Sequence, residues 1–456
     1  MAAISRFFSI LTFLSLITAG CGKTLPAAPQ TVPITPGSTP AATALPSPAA
    51  GTLYVNPAMD MGPISPYLFG SNYGPWVAVP FNMLQSAFDS GITILRFPAG
   101  SWGDQNDVQP YQVDTFMGIL QKMGATALIN VRLENGTPGK AAQLVQYVNI
   151  EKKYDIHYWA IGNEPTLYSG DLHYNYDTAQ FNKDWRAMAL AMKAVDPSIK
   201  LVGPELHQFT DEESQNPKDS AGRDWMTEFL KANGDLVDIV SFHRYPFPLS
   251  NTAPPATIED LHQNVRQWDK IIIYLRSLIH NITGRDLPIA ITEFNSHYNK
   301  VTIGEATPDS HYNAIWLADV LGRMLRNGVF MADQWMLTSH GDQGGWGLIG
   351  YGELRPSYYV YQLYKLFGNE QVFSSSDDPD LSIYAAKRPD GTLTIIIINL
   401  SLLEKIKPIR IENRSAVQAE AWLFDPMHKA EDIGFVNLSN GITIPPQSMT
   451  LYSLKP

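Results

Sequence analysis

Eight short runs of β-branched and aromatic residues, spaced along roughly 300 residues and separated by helix-like stretches, constrain this chain most. They are Tyr67-Leu68-Phe69-Gly70, Ile92 to Phe97, Thr126 to Val131, His157 to Ile161, Ile199 to Val202, Val237 to Phe242, Pro288 to Thr292 and Ala332 to Leu337. Several are almost continuously apolar, as strands covered on both faces must be, which points to a parallel sheet. Between the fourth and fifth runs, Phe181, Trp185, Met188, Ala189 and Met192 fall on one helical face, and Asp196-Pro197 ends it. Eight such strands with intervening helices predict an α/β chain, a (β/α)8 TIM barrel spanning 61–370. The runner-up is a doubly wound sheet, but no glycine-rich nucleotide loop follows the first run.

After Pro356 the rhythm changes. One more helical stretch, Tyr358 to Phe367, gives way to strands at Leu381 to Lys387, Leu393 to Leu400, Ile406 to Ile411, Val417 to Phe424 and Ser448 to Leu454. Asp390-Gly391 between the first two is a hairpin signal. Residues 371–456 therefore read as a C-terminal antiparallel β-sandwich domain. A strand-like segment in 51–60, around Thr52 to Asn56, is expected to join it.

The chain starts differently. Arg6, an apolar run from Phe7 to Ile17 and small residues before Cys21 follow the plan of a secretory signal peptide over 1–20. Ala19-Gly20-Cys21 resembles a bacterial lipobox, with Thr18 in place of the usual aliphatic residue. The resemblance implies lipidation at Cys21. Residues Thr24 to Ala50 hold 7 Pro, 7 Ala and 5 Thr and no charge, the composition of a semi-stiff tether. The expectation is an exported protein, lipid-anchored at the outer surface of a bacterial membrane through Cys21, with a secreted soluble form as the alternative.

Composition narrows function. One cysteine excludes an internal disulfide and a thiol-rich metal site, and a net charge of −11 argues against nucleic acid as a partner. Ten tryptophans and 21 tyrosines, with only 17% charged residues, suit stacking on neutral hydroxylated ligands. No His-x-x-x-His pair lies near a carboxylate, so neither metal nor any other cofactor is implied.

Barrels of this kind carry their chemistry at the C-terminal ends of the strands. The fourth run leads into Gly162-Asn163-Glu164-Pro165 and the seventh into Thr292-Glu293-Phe294-Asn295. Two glutamates at one barrel mouth suit glycosidic bond cleavage, in which one carboxylic acid protonates the leaving oxygen and a carboxylate acts at the other face. Direct attack by the second requires a separation of about 5 Å.

These motifs, Trp159 to Pro165 and Thr292 to Asn295, resemble those of the clan A retaining glycoside hydrolases, and the companion sandwich resembles families 39, 51 and 79. The resemblance implies Glu164 as the acid/base, Glu293 as the nucleophile and Asn163 as a hydrogen-bond partner of the hydroxyl next to the anomeric carbon. Phe242-His243-Arg244-Tyr245 is similar to the His-x-Tyr of these enzymes, which implies that Tyr245 orients Glu293 and that His243 lines the pocket. Arg96 is a candidate second donor to Glu293, and Trp335 a candidate floor beneath the sugar. Tyr168, Tyr174, Tyr176 and Trp346 are candidate stacking platforms, Arg244 and Arg132 candidate partners for a uronic acid, and Asp211-Glu212-Glu213 reads as a solvated helix start. The implied activity is retaining hydrolysis of O-glycosides by β-xylosidase-, α-L-arabinofuranosidase-, β-glucuronidase- or glucanase-like action. A catalytically silent carbohydrate-binding lipoprotein and a transglycosylase are the alternatives.

Overall fold

A computed structural model describes residues 49–172, 175–414 and 418–456. The segment 1–48, with Cys21 and most of the tether, lies outside them, as do Tyr174 and Val417. The described residues form one compact unit.

Strand β1 (Leu53–Pro63) precedes a closed parallel barrel of eight strands: β2 (Tyr67–Asn72), β3 (Ile94–Phe97), β4 (Thr126–Val131), β5 (Tyr158–Ile161), β6 (Lys200–Leu206), β7 (Ile239–Arg244), β8 (Ile289–Phe294) and β9 (Met331–Gln334). Each of the eight runs supplies one of them, with β9 pairing back onto β2. Helices alternate with the strands. Thr178–Val195 shows how sequence makes one: Asp177 caps it by accepting from the Gln180 amide at 2.9 Å. Its Phe181, Trp185, Met188, Ala189 and Met192 are all buried. Each large apolar side chain so covered contributes roughly 1.5–3 kcal/mol.

The barrel interior is layered by the two-residue period of its strands. Ile94, Leu128, Ala160, Val202, Ile239, Ala290 and Met331, one from each of seven strands, form an apolar plug. Two residues further along, β3, β4, β8 and β9 present Arg96, Asn130, Thr292 and Asp333, all buried. Gly70 of β2 admits this packing: a Cβ there would stand 2.1 Å from Asp333 Oδ1 and 2.7 Å from Ile94 Cγ2. The polar layer thus sits toward the C-terminal strand ends.

The second sheet is built from β1 with β10 (Glu370–Ser375), β11 (Leu381–Lys387), β12 (Leu393–Asn399), β14 (Ile409–Ile411), β15 (Gln418–Phe424), β16 (Lys429–Asn437) and β18 (Ser448–Leu454), and β13 (Lys405–Lys407) pairs with β17 (Ile442–Ile444). Together they form the sandwich-like C-terminal domain. β1 lies between β10, to which it runs antiparallel, and β14, to which it runs parallel. The single strand expected over Ile406 to Ile411 is two, because Pro408 has no N–H to continue the ladder. Strands β10, β16 and β17 were not anticipated; β16 is mostly exposed and lacks the apolar alternation that marks a strand.

Candidate active site

Glu164 follows β5 and Glu293 lies near the end of β8, the fourth and seventh barrel strands. One carboxylate oxygen from each, together with a ring nitrogen of His243, lie within 4.8 Å of one another. Both glutamates line one wide cleft of about 1350 Å³ that also exposes Tyr245, Trp335 and Trp346.

Three groups hold Glu293. Tyr245 donates its hydroxyl to Oε1 at 2.7 Å, Arg96 Nη1 donates to Oε2 at 3.1 Å, and His243 Nδ1 stands 4.0 Å from Oε2. Burial pushes Tyr245 well above the ordinary phenol value, and the neighbouring Glu293 carboxylate adds to the rise, so the hydroxyl stays a donor. Burial and repulsion from Glu164 raise Glu293, with His243, Arg96 and Tyr245 opposing.

His243 is bonded differently from the expectation. It is fully buried and does not line the cleft: Nδ1 faces Glu164 Oε1 at 2.9 Å and Nε2 faces Glu205 Oε2 at 3.3 Å. Ile239, Ser241 and His243 share the inward face of β7 by the two-residue period of a strand, while the neighbouring β8 skips Thr292 between the partners of Phe242 and His243. Burial disfavours its charge, but Glu293, Glu164 and Glu205 together raise it to about 9. The imidazole in turn holds Glu164 below the usual carboxylate value despite burial. Carboxylates this close titrate as a pair.

Glu205 is the residue the sequence hid. It follows Gly203-Pro204 inside β6, is fully buried, and forms an ion pair with Arg96 at 2.8 Å. Ser241 Oγ and Thr292 Oγ1 donate to its Oε1 at 2.6 and 2.8 Å. Burial opposes its charge, yet Arg96 and then His243 hold it down to about 2. Glu164 and Glu205 both have left-handed backbones, φ 51° and 59°. Such strain, about 1–3 kcal/mol per residue, persists only where surroundings enforce it.

Asn163 is nearly buried, and its Oδ1 accepts from Arg96 Nη2 at 2.9 Å, while its amide N–H donates to Asp104 Oδ2 at 2.5 Å. Burial lifts Asp104 to about 6 against hydrogen bonds from Tyr168 and the main chain. Tyr168 is therefore a buried partner of Asp104 rather than a stacking platform, and Tyr176 is buried against its ring at 5.2 Å. Trp335 does line the cleft, stacked on Trp76 with ring centroids 6.0 Å apart. Trp346 meets Trp335 edge-on at 6.4 Å and anchors its Nε1 on the His297 carbonyl at 2.8 Å. Gly100, at φ 63°, leaves room for the indole: a Cβ there would stand 2.7 Å from Trp335 Cη2.

Arg244 lies in the cleft wall, whereas Arg132 is held at Glu134 O and Asp107, away from it. Asp211 and Glu212 line the cleft instead of starting a long helix; only the single turn Glu213–Gln215 follows. Among the described residues, Glu164, His243 and Glu293 are close enough to share a cation, but the Arg96 guanidinium on Glu293 already supplies positive charge and would repel a dication. No described helix is long and apolar enough to cross a membrane.

Against known proteins, the chain is 24% identical to a β-xylosidase of Geobacillus stearothermophilus over 266 residues, 54% of this chain and 47% of that protein. It is 25% identical to a heparanase of Bos taurus over 318 residues, 65% of this chain and 53% of that protein. The chain thus spans about half the length of these curated relatives. The fold matches an α-L-arabinofuranosidase of Thermotoga maritima with a TM-score of 0.69 at 18% identity, covering 89% of this chain and 100% of that one. It also matches CelM2, a bifunctional glucanase-xylanase from a metagenome library, with a TM-score of 0.67 at 19% identity over 89% and 99%. Residues 143–404, more than half of the 456, match the family described as Glycosyl hydrolases family 39, and the chain belongs to that family.

Proposed function

We propose that the protein is a retaining O-glycoside hydrolase acting on oligosaccharides or polysaccharides. The observation that carries this reading is the approach of Glu164 and Glu293 to within 4.8 Å. A retaining pair stands about 5–5.5 Å apart, while an inverting pair needs about 6.5–9.5 Å to admit a water. Glu293, held by Arg96 and Tyr245, attacks the anomeric carbon as the glycosidic C–O bond breaks and Glu164 protonates the leaving oxygen. That proton is shared across the 2.9 Å contact between Glu164 and His243. Glu164 then takes a proton from water, the oxygen attacks the same carbon, and the bond to Glu293 breaks.

The reading extends to location: export through 1–20 and a lipid anchor at Cys21 with a tether up to Ala50. Labelling with a radioactive fatty acid in a bacterial host, lost in Cys21→Ser, tests it; unlabelled wild type refutes the anchor.

For the chemistry, Glu293→Ala should abolish turnover of an aryl glycoside, and Glu164→Ala should lower it by about 10²–10⁴-fold on a poor leaving group. A fully active Glu293→Ala protein overturns the mechanism, as does an inverted anomer as first product by NMR. Family membership and the names of the relatives support carbohydrate as the substrate.

A further inference from the structure

Arg244 ends β7 one residue after His243, and strand alternation turns it to the opposite side, away from the carboxylates that hold the imidazole. It points to the start of the helix Gln267–Thr283, where Nη2 donates to Gln267 Oε1 at 2.6 Å. Gln267 Nε2 in turn reaches Asp211 Oδ1 at 3.3 Å, so the amide separates cation from carboxylate. Arg244 is only 4% exposed yet forms part of the cleft wall. Its Nε has no acceptor, Nη1 has none among the described residues, and no described carboxylate pairs with it. Burial brings Arg244 down to about 10, outweighing Asp211, which favours the charge from beyond that amide; a buried cation with no carboxylate in contact costs several kcal/mol. Every other deeply buried guanidinium in the barrel layer and the helices around it, such as Arg96 and Arg323, has a carboxylate on it.

We propose that Arg244 takes a carboxylate carried by the substrate, so that the sugar seated along this wall is a uronic acid. The proposal rests on the glycoside hydrolase reading and names its substrate class. Because Arg244 faces away from Glu164 and Glu293, the acidic unit is a neighbour of the ring being cleaved rather than that ring itself. The same wall carries Asp211, Glu212 and Asp260. Their repulsion disfavours a densely charged chain such as a sulfated one and favours a sparse carboxylate that meets one guanidinium in a charge-assisted pair.

The test compares acidic oligosaccharides from glucuronoxylan and hyaluronan, each with its carboxyl-reduced counterpart. Wild type should favour at least one acid form over its reduced partner by about 10-fold or more in kcat/KM, a preference that shrinks with salt. Arg244→Gln should bring that ratio to within about 2-fold. Gln267→Glu, which gives Arg244 a carboxylate of the protein's own, should do the same while keeping the buried charge paired. No preference in wild type, or one that survives both substitutions, overturns the proposal. Glu293→Ala separates the two readings, since it removes turnover of acid and reduced forms alike. Were wild type to cleave neither form, calorimetry on the same pairs would decide on Arg244: tighter binding of the acid form, lost in Arg244→Gln, supports it, and equal binding refutes it.

Discussion

The amide of Glu164 donates to the main-chain carbonyl of Glu205 at 2.9 Å, joining two left-handed residues from neighbouring strand ends. The backbone conformation of the residue proposed to move protons is thereby set by a residue that does not reach the cleft. Glu205 in turn is fixed through its side chain by Arg96, Ser241 and Thr292.

Glu205→Gln should therefore act first on stability. It leaves the buried Arg96 with one carboxylate fewer, and breaking a buried pair costs about 3–5 kcal/mol. Glu205 titrates near 2 in the folded protein against an ordinary 4.5. Its contribution is fully present above about pH 4.5 and is lost as pH falls toward 2. Denaturant titrations across that acid range should show wild type and variant converging at the low end.

His243 gives the opposite slope. Its folded value of about 9 lies above the ordinary 6.5. The imidazolium thus contributes fully below about pH 6.5, and the contribution disappears as pH rises through 9, with a total on the order of 3 kcal/mol. In His243→Gln the alkaline loss of stability should vanish. A variant that retains the wild-type slope between about pH 6.5 and 9 would show that another group titrates there.

Tyr245→Phe removes the 2.7 Å donor to Glu293 and nothing else from the cleft wall. A hydrogen bond to a charged group contributes about 1.5–3 kcal/mol, so kcat/KM on an aryl glycoside should fall by about 10- to 100-fold with little change in melting temperature. An unchanged rate would mean that Arg96 alone orients the carboxylate.

Trp335→Ala should raise KM more than it lowers kcat, because the indole offers a binding face and no proton. Gly100→Ala should mimic it by driving a methyl group against the ring and straining a backbone at φ 63°. Steady-state kinetics of the two variants, read side by side, check this: a fall in kcat alone would give Trp335 a role in positioning the glutamates.

The barrel was legible because its strands announce themselves: Ile94, Leu128, Ala290 and Met331 are apolar, and the residue two positions on is polar in every case. The same period carried Arg96 to the centre of the site. Glu164 and Glu293 were legible because their neighbours form motifs. Glu205 carried no such flag, since Gly203-Pro204 interrupts the strand period and its partners, Arg96, Ser241 and Thr292, come from three other strands. Its one signal is a carboxylate inside a strand-like run, the same signal that marks Asp333. His243 was placed on the right strand, and the two-residue period from Ile239 and Ser241 turns it inward; what the sequence did not show is that Glu205 waits there to bond it. In the second sheet, β10 and β16 escaped notice because polar and exposed side chains make up most of them.

Strand β1 sits between β10 and β14, although the chain emerges from the ribosome with β1 roughly 300 residues ahead of its partners. At translation rates of about 5–20 residues per second, its apolar residues Leu53 and Val55 wait roughly 15–60 s for a sheet to enter. The second sheet therefore closes late, when strands from the last quarter of the chain receive the first. Any nascent chain stopped before Glu370 carries an unmatched β edge, open to chaperones or to a second stalled copy.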